Sequence, residues 1–540
     1  MRPPIPSSSF STTARRAAQG SASPSTPGLA GRPFRLAVVG GGPAGFYSAG
    51  RLLSLPGSEE TKVDLYELLP SPFGLARFGV APDHPEVKNC EHKFEETARD
   101  PRFRFFGNVQ VSGTDPSSST SPSSSTTVAN LSPSPFAAQI PIDVLREHYD
   151  AVLLTYGASL DRPLGIPGED TLLNVLSARS FVNWYNGHPY HSSLLSPLID
   201  LSKIEHVTVI GQGNVALDVA RMLLKPVDLL REFDVPEYAL AELSRSRVKR
   251  VDIVGRRGPL QLAATTKELR EMMNLPGVAF EMDSGLLDDA VRQVEENPKM
   301  EGARMRKRAM GLLQGGSKTG LAGADKSWSF EFLRSPRELL PSSTSSSAPS
   351  PLDALISPQT VGAVSYTLNE LVAPSSPSSP LDPGHFQARA TPQTALCKTD
   401  MVFKSVGYRS IGLPGLPFDE RRGIVRNIEG RVVDEHGARI EGLYTSGWLA
   451  RGPTGVIATT MFDAFATADA VAADLAALPP ALAPSRPRPD VPIERWRGDR
   501  RIVSWEDWER IDRVERERGR ARGKLREKMT SVDEMLEVLP

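Results

Sequence analysis

Two stretches of this chain each read as a short apolar strand, a glycine turn and a helix, and no other feature limits the fold as sharply. The first is RLAVVGGGPAGFYSAGRLL at 35–53, followed by VDLYE at 63–67. The second is HVTVIGQGNVALDVARMLL at 206–224, followed by VKRVDIVGRR at 248–257. In each, a β-branched run ends in glycines, and apolar residues then recur at helical spacing. Such units build parallel sheets with helices on their faces. The expected class is α/β, with two Rossmann-like dinucleotide-binding domains, hence two cofactors. The first lies near the N-terminus, and a matching piece of its domain is expected to return near the C-terminus.

Gly40, Gly42 and Gly45 form a G-x-G-x-x-G turn. The first glycine permits the tight bend, the second lets backbone approach a pyrophosphate, and the third allows close helix–strand packing. The opening helix offers unpaired N–H groups to phosphate. Glu67 ends the next strand, where a carboxylate can bond ribose hydroxyls. The second turn, Gly211-Gln212-Gly213-Asn214-Val215-Ala216, keeps the G-x-G-x-x-A spacing, but its following strand ends in Arg256 and Arg257. A carboxylate there would repel the 2′-phosphate of NADP, whereas paired guanidinium groups would hold it. The second site is therefore expected to take NADP. Thr265-x-x-Glu268 matches a capping box, and by geometry alone Glu268 divides evenly between helix cap and cofactor contact. Near the C-terminus, Trp448 and the run Arg451 to Ile457 precede an alanine-rich helical stretch. A small-residue loop opening a helix presents N–H groups and a positive dipole end.

Composition closes off other classes. A chain of 540 residues exceeds one ordinary core. A net charge of −1 gives no general attraction to nucleic acid. No apolar run is long enough to span a bilayer. Cys90 and Cys397 are the two cysteines, without a CxxC pair, so neither a dithiol centre nor a protein-held cluster or metal site is expected. Residues 1–33 carry Arg2, Arg15, Arg16 and Arg32 with no acid before Glu59, a composition that suits a mitochondrial transit peptide. Segments 112–135, 341–351 and 374–383 are Ser/Thr/Pro-rich and read as insertions that cannot bury a core. From about 480 the chain turns proline-rich, then charged and helix-favouring from Trp505 to Leu539.

Longer strings carry a resemblance: FGLARFGVAPDHPEVKN at 73–89, GQGNVALDVARMLL at 211–224, VGRRGPLQLAATTKELREM at 254–272 and SGWLARGPTGVI at 446–457. Together they resemble the adrenodoxin reductase family, the ferredoxin–NADP reductases with a glutathione-reductase-like core. The resemblance implies an NADP domain inserted into an FAD domain, with boundaries at 34–157, 158–395 and 396–480 and an extension at 481–540. It implies FAD contacts from Ala44, Glu67, Leu75, Val111, Trp448, Gly455, Val456 and Ile457. NADPH contacts would come from Gln212, Gly213, Asn214, Val215, Arg256, Arg257, Glu268 and Gly455. His84 and Asp218 match a polar pair near the flavin, read as tuning or orienting groups. The implied partner is a small acidic 2Fe–2S ferredoxin, docked on Arg270 with Arg304 and Arg308, the last two sharing a helix face at i, i+4. A mitochondrial matrix location is implied as well, with room for peripheral association at the inner membrane. Rival readings are a thioredoxin-reductase-like or glutamate-synthase-small-subunit-like reductase, which the missing cysteine motifs oppose, and a non-catalytic scaffold, which two intact glycine turns oppose.

Overall fold

The computed structural model describes residues 33–113, 134–342, 359–374, 382–478 and 488–540. Nearly all of the leader, the centres of the three Ser/Pro segments and most of the proline-rich stretch after 478 lie outside the described residues. Each Ser/Pro segment joins two strands of one sheet. Val109–Ser112 pairs with Ala138–Pro141, and Val361–Val372 pairs with both Arg334–Pro341 and Gln387–Lys398.

The Phe34–Val39 strand is buried along its whole length, as a strand covered on both faces must be. It lies inside a seven-stranded sheet with the order Asn427–Ile428, Arg431–Val433, Arg439–Thr445, Ala151–Leu154, Phe34–Val39, Thr61–Tyr66, Phe103–Phe106. The last five of these run parallel. Arg439–Thr445 thus joins Ala151–Leu154 to complete a sheet begun at 34, so the chain between the crossovers at Leu160–Asp161 and Tyr408–Arg409 forms an inserted unit.

That unit is a wholly parallel six-stranded sheet: Val278–Met282, Lys326–Glu331, Arg250–Val254, His206–Ile210, Met401–Lys404, Val175–Ser177. The expected restart of the first domain at 396 is too early. Gln387–Lys398 ends the antiparallel three-stranded sheet, and Met401–Lys404 is buried between His206–Ile210 and Val175–Ser177. The apolar Met401-Val402-Phe403 run fills a gap in the second core, and local sequence does not say which core it will fill. The two crossovers between the domains then meet, Leu160–Asp161 pairing antiparallel with Tyr408–Arg409.

Helix Pro43–Leu53 packs on helix Ile457–Ala477 through small residues. The Gly447 Cβ position falls 2.8 Å from Ala44 Cβ and 3.4 Å from Thr460 Cγ2. The Ser48 hydroxyl donates to the Ala464 carbonyl at 3.3 Å, and Arg51 pairs with Asp469 at 2.8 Å. These contacts advance together along both helices, so the helices run parallel with their N-termini side by side.

The C-terminal charged run is not one helix. Trp505–Arg520 and Val532–Glu537 are helical, and an irregular stretch with Gly523 at φ +73° separates them. Trp505 and Trp508 enter the first core beside Phe46 and Phe73, with ring centroids 6.0–6.3 Å apart. Each such buried ring stabilises by about 1.5–3 kcal/mol. The irregular stretch fills the seam between domains. Arg526 and Arg77 share the fully buried Glu515, at 3.0 and 2.7 Å. Lys528 pairs with Asp234 at 3.0 Å and donates to the carbonyls of Arg77 and Asn186. Lys88 reaches the same Asp234 at 2.9 Å. Buried charges persist only when each has partners, and here the partners come from both domains.

Candidate active site

Both glycine turns sit beyond the C-terminal ends of parallel strands, where an α/β sheet leaves its ligand crevice. Gly40 takes φ +111°, and a Cβ there would stand 2.6 Å from the Tyr156 backbone. Only glycine fits. Gly42 caps helix Pro43–Leu53, and an added Cβ would meet nothing within 4 Å. That open space above a helix N-terminus is shaped for a pyrophosphate. Gly45 closes the turn from behind, its Cβ position 2.3 Å from the Gly40 carbonyl oxygen. The Phe73 N–H donates to the Gly41 carbonyl at 2.7 Å, which brings Gly74 and Leu75 over Gly42. Glu67 accepts from the N–H groups of Gly41 at 2.7 Å and Leu69 at 3.0 Å. Desolvation raises its pKa, and these two donors oppose the rise. The Glu67 carbonyl accepts from Val109, which sets Val111 two residues further along the neighbouring strand. Val456 caps helix Ile457–Ala477, Gly455 precedes it at φ +78°, and Trp448 follows Gly447, which packs on Ala44 of the first helix.

The second turn repeats the device. Gly211 takes φ +126°, with its Cβ position 2.1 Å from the Ser405 carbonyl oxygen. Gly213 caps helix Asn214–Leu224 and again faces open space. The Asn214 side chain accepts from the Thr265 N–H at 2.8 Å, and Val215 packs on the core behind the turn. Gln212 lies across Gly255, and its Oε1 is buried without a hydrogen-bond partner among the described residues. Arg256 is exposed and Arg257 half-buried. Burial and the neighbouring Arg256 lower the pKa of Arg257, and among the described residues no carboxylate counters them. Two adjacent guanidinium groups lacking an acid partner fit a dianionic 2′-phosphate. An open cradle at each helix N-terminus, an acid at one strand end and two cations at the other thus fit FAD and NADP respectively.

Between the turns, Tyr408 lies 5.8 Å ring to ring from Trp448. Burial, then Asp161, raises the pKa of its hydroxyl, with Asp218 adding to the effect. Tyr408 therefore links the returning loop to the second domain. His84 and Asp218 belong to one charged cluster, joined through Glu268, Glu271 and Arg221. His84 Nε2 is 2.5 Å from Glu271 Oε2, and Nδ1 is 3.9 Å from Glu268 Oε1. Asp218 pairs with Arg221 at 2.7 Å, and Arg221 also reaches Glu268 at 3.1 Å. Burial raises the pKa of Asp218, and burial together with Asp218 raises that of Glu268. Thr265 does cap the helix, accepting from the Glu268 N–H at 3.4 Å, but the Glu268 carboxylate turns to Arg221 instead of closing the box. The Glu268 backbone thus takes the cap, while its carboxylate is held by Arg221.

Asp83, Arg221, Lys225 and Glu271 join the site without having been singled out from sequence. Arg221 lies three residues after Asp218, a spacing that puts both on one helix face. Lys225 follows Arg221 by four residues, Glu271 follows Glu268 by three, and Asp83 precedes His84; what the sequence does not signal is that these three local groups meet. Arg270 on helix Thr266–Met273 and Arg304 and Arg308 on the adjoining helix Ala303–Gly315 are all exposed.

The chain is similar to proteins named "NADPH:adrenodoxin oxidoreductase, mitochondrial". It is 42% identical to that of Salvelinus fontinalis over 93% of this chain and 91% of that one. The Bos taurus protein is 42% identical over 94% and 92%. The NADPH-ferredoxin reductase FprA of Mycobacterium tuberculosis is 38% identical over 94% and 99%. The chain belongs to the adrenodoxin reductase family. A solved structure of FprA in complex with NADPH superposes with a TM-score of 0.76, at 36% identity over 94% of this chain and 99% of that one. No protein-family profile matches the chain. Family membership confirms the recognition made from the four sequence strings, and the shared architecture confirms two parallel-sheet domains, one inserted in the other.

Proposed function

We propose that this adrenodoxin reductase family member binds FAD at the Gly40 turn and NADPH at the Gly211 turn, and passes electrons singly to a 2Fe–2S ferredoxin. The chain is an oxidoreductase of the ferredoxin–NADP+ reductase type, with FAD and NADP as its cofactors. The observation that carries the assignment is the pairing of two open helix-capping glycine turns with opposite strand ends, Glu67 at one and Arg256 with Arg257 at the other. Bound flavin supplies the redox chemistry, taking two electrons together and releasing them one at a time.

The protein's own work is alignment and field. The Gly42 and Gly213 helix N-termini fix the two pyrophosphates. Arg256 and Arg257 would hold the 2′-phosphate of the coenzyme, and Trp448, Tyr408 and Asp218 stand between the two turns, where they would orient its reacting end. The N-terminus of Ile457–Ala477 presents a positive dipole end, which would favour the negative charge a bound flavin gains on reduction. His84, Asp218 and Glu268 orient and tune, because hydride transfer itself requires no protein acid.

Arg270, Arg304 and Arg308 are read as the ferredoxin face. Their exposure on two adjoining helices supports this, and an acidic partner is the electrostatic match. The word mitochondrial in the relatives' names and the acid-free leader both support import, with the matrix as destination. No helix among the described residues is long and apolar enough to cross a membrane, and peripheral contact with the inner membrane is compatible with that.

The test is the visible spectrum of purified protein, bleached anaerobically with NADPH, then cytochrome c reduction with and without a mitochondrial ferredoxin. A yellow protein, bleached by NADPH and dependent on ferredoxin for cytochrome c reduction, is expected. A protein that takes up no flavin on reconstitution would sink the reading.

A further inference from the structure

Arg221 is buried to 2% exposure between the domains, and one residue holds four carboxylates. Its Nε and Nη2 grip Asp83 in two bonds of 3.0 Å, from the loop after the Leu75–Phe78 helix. The same guanidinium reaches Asp218 on its own helix, and Glu268 and Glu271 at 3.1 and 3.7 Å on helix Thr266–Met273. Lys225 adds a second cation on Asp83 at 2.9 Å. The ring closes through His84, next to Asp83 in the chain and bonded to Glu271. One side of this ring belongs to the first domain and the other to the second.

We propose that Arg221 is a positioning residue for electron transfer from NADPH: by tying Asp83 across the seam, it holds His84, Asp218 and Glu268 where coenzyme and flavin meet. The inference rests on the functional reading above and goes beyond it, since Arg221 touches neither turn. A planar fork can satisfy a two-bond partner on one side and single partners on the other at once, which a lysine cannot. The cluster also carries more acid than base. Asp83, Asp218, Glu268 and Glu271 face Arg221 and Lys225. Outside them stand Glu86 with its partner Lys267, and the phenols Tyr185 and Tyr408, whose pKa values burial raises, with Asp218 adding to the rise. Without the guanidinium, the Asp218–Glu268 pair must hold a proton to higher pH, and Asp83 is left with Lys225 alone across the seam.

The experiment uses the FAD-loaded full chain and follows its reduction by NADPH in stopped flow as a function of pH. Arg221→Met is expected to lower the limiting rate about tenfold or more while changing the apparent KM for NADPH less than about threefold. The acid limb of its rate profile should move up by about one pH unit. Arg221→Lys should return the profile toward wild type and recover the rate only in part. Should Arg221→Met fail to retain flavin, Asp83→Asn decides, because it keeps the cation and cuts only the tie. A slowed limiting rate with unchanged KM is expected there too. Wild-type rate and profile in either flavin-loaded variant, or a change confined to KM, overturns the proposal. So does loss of flavin from both variants, which would make the ring purely structural. A wild-type protein that NADPH does not bleach would refute the functional reading itself, separately from the role of Arg221.

Discussion

The two glycine turns share one backbone shape and differ in the charge at the end of the next strand. Gly40 and Gly211 both take positive φ against a neighbouring backbone, and Gly42 and Gly213 both cap a helix facing open space. The strand after the first ends in Glu67, tied to the N–H groups of Gly41 and Leu69. The strand after the second ends in two guanidinium groups that have no acid partner among the described residues. Backbone shape therefore provides for a pyrophosphate at either site, and charge at one strand end decides which dinucleotide belongs there.

The contrast can be broken most severely at the backbone. Gly211→Val places a branched side chain at φ +126° against the Ser405 carbonyl, and NADPH-driven bleaching should fall by at least about a thousandfold while flavin stays bound, since strain and clash each cost several kcal/mol. Stopped-flow reduction by NADPH, with the spectrum as control, checks it. Loss of flavin as well would mean that the two turns are not independent. Charge comes next. Replacing Arg256 and Arg257 together by Ala should raise KM for NADPH about a hundredfold and for NADH less than about threefold, each charge-assisted bond contributing about 1.5–3 kcal/mol. Equal changes for both coenzymes would remove the 2′-phosphate assignment. Glu67→Gln should weaken flavin retention by about tenfold and leave the NADPH-to-NADH preference untouched, because one ribose contact of about 1–1.5 kcal/mol is altered. Flavin fluorescence on dilution measures it. The smallest effect lies outside both turns. Arg304→Glu should reduce ferredoxin turnover by about threefold to tenfold at low salt, less at high salt, with dye reduction unchanged, as screening of an exposed charge requires.

The turns, the acid and the arginine pair were legible because each is a local pattern: a few residues whose spacing fixes their mutual geometry. Glu268 was half legible, since Thr265 announces a cap but nothing nearby says that the carboxylate will turn to Arg221. Met401–Lys404 looked like the start of a returning domain, because a buried parallel strand reads the same whichever sheet it joins. The Asp83–Arg221 tie was not legible at all, its partners being far apart in sequence and brought together only by insertion of one domain into the other. The tail hid its fold in the same way. Its run of Arg and Glu reads as a solvated helix until Arg77, Asp234 and Glu237 of the two domains are placed opposite it.

Because the residues that fill the seam follow both sheets in sequence, the two domains cannot finish docking until residues 524–528 have been synthesised. Until Lys524, Arg526 and Lys528 arrive, Arg77, Lys88 and Asp234 keep one face open to water. A chain truncated before Lys524 would keep both nucleotide cradles on a protein whose halves have lost the Lys524, Arg526 and Lys528 contacts of the seam. A stop codon just before Lys524 is a structural lesion, and cellular quality control would meet it as a loosely joined pair of domains.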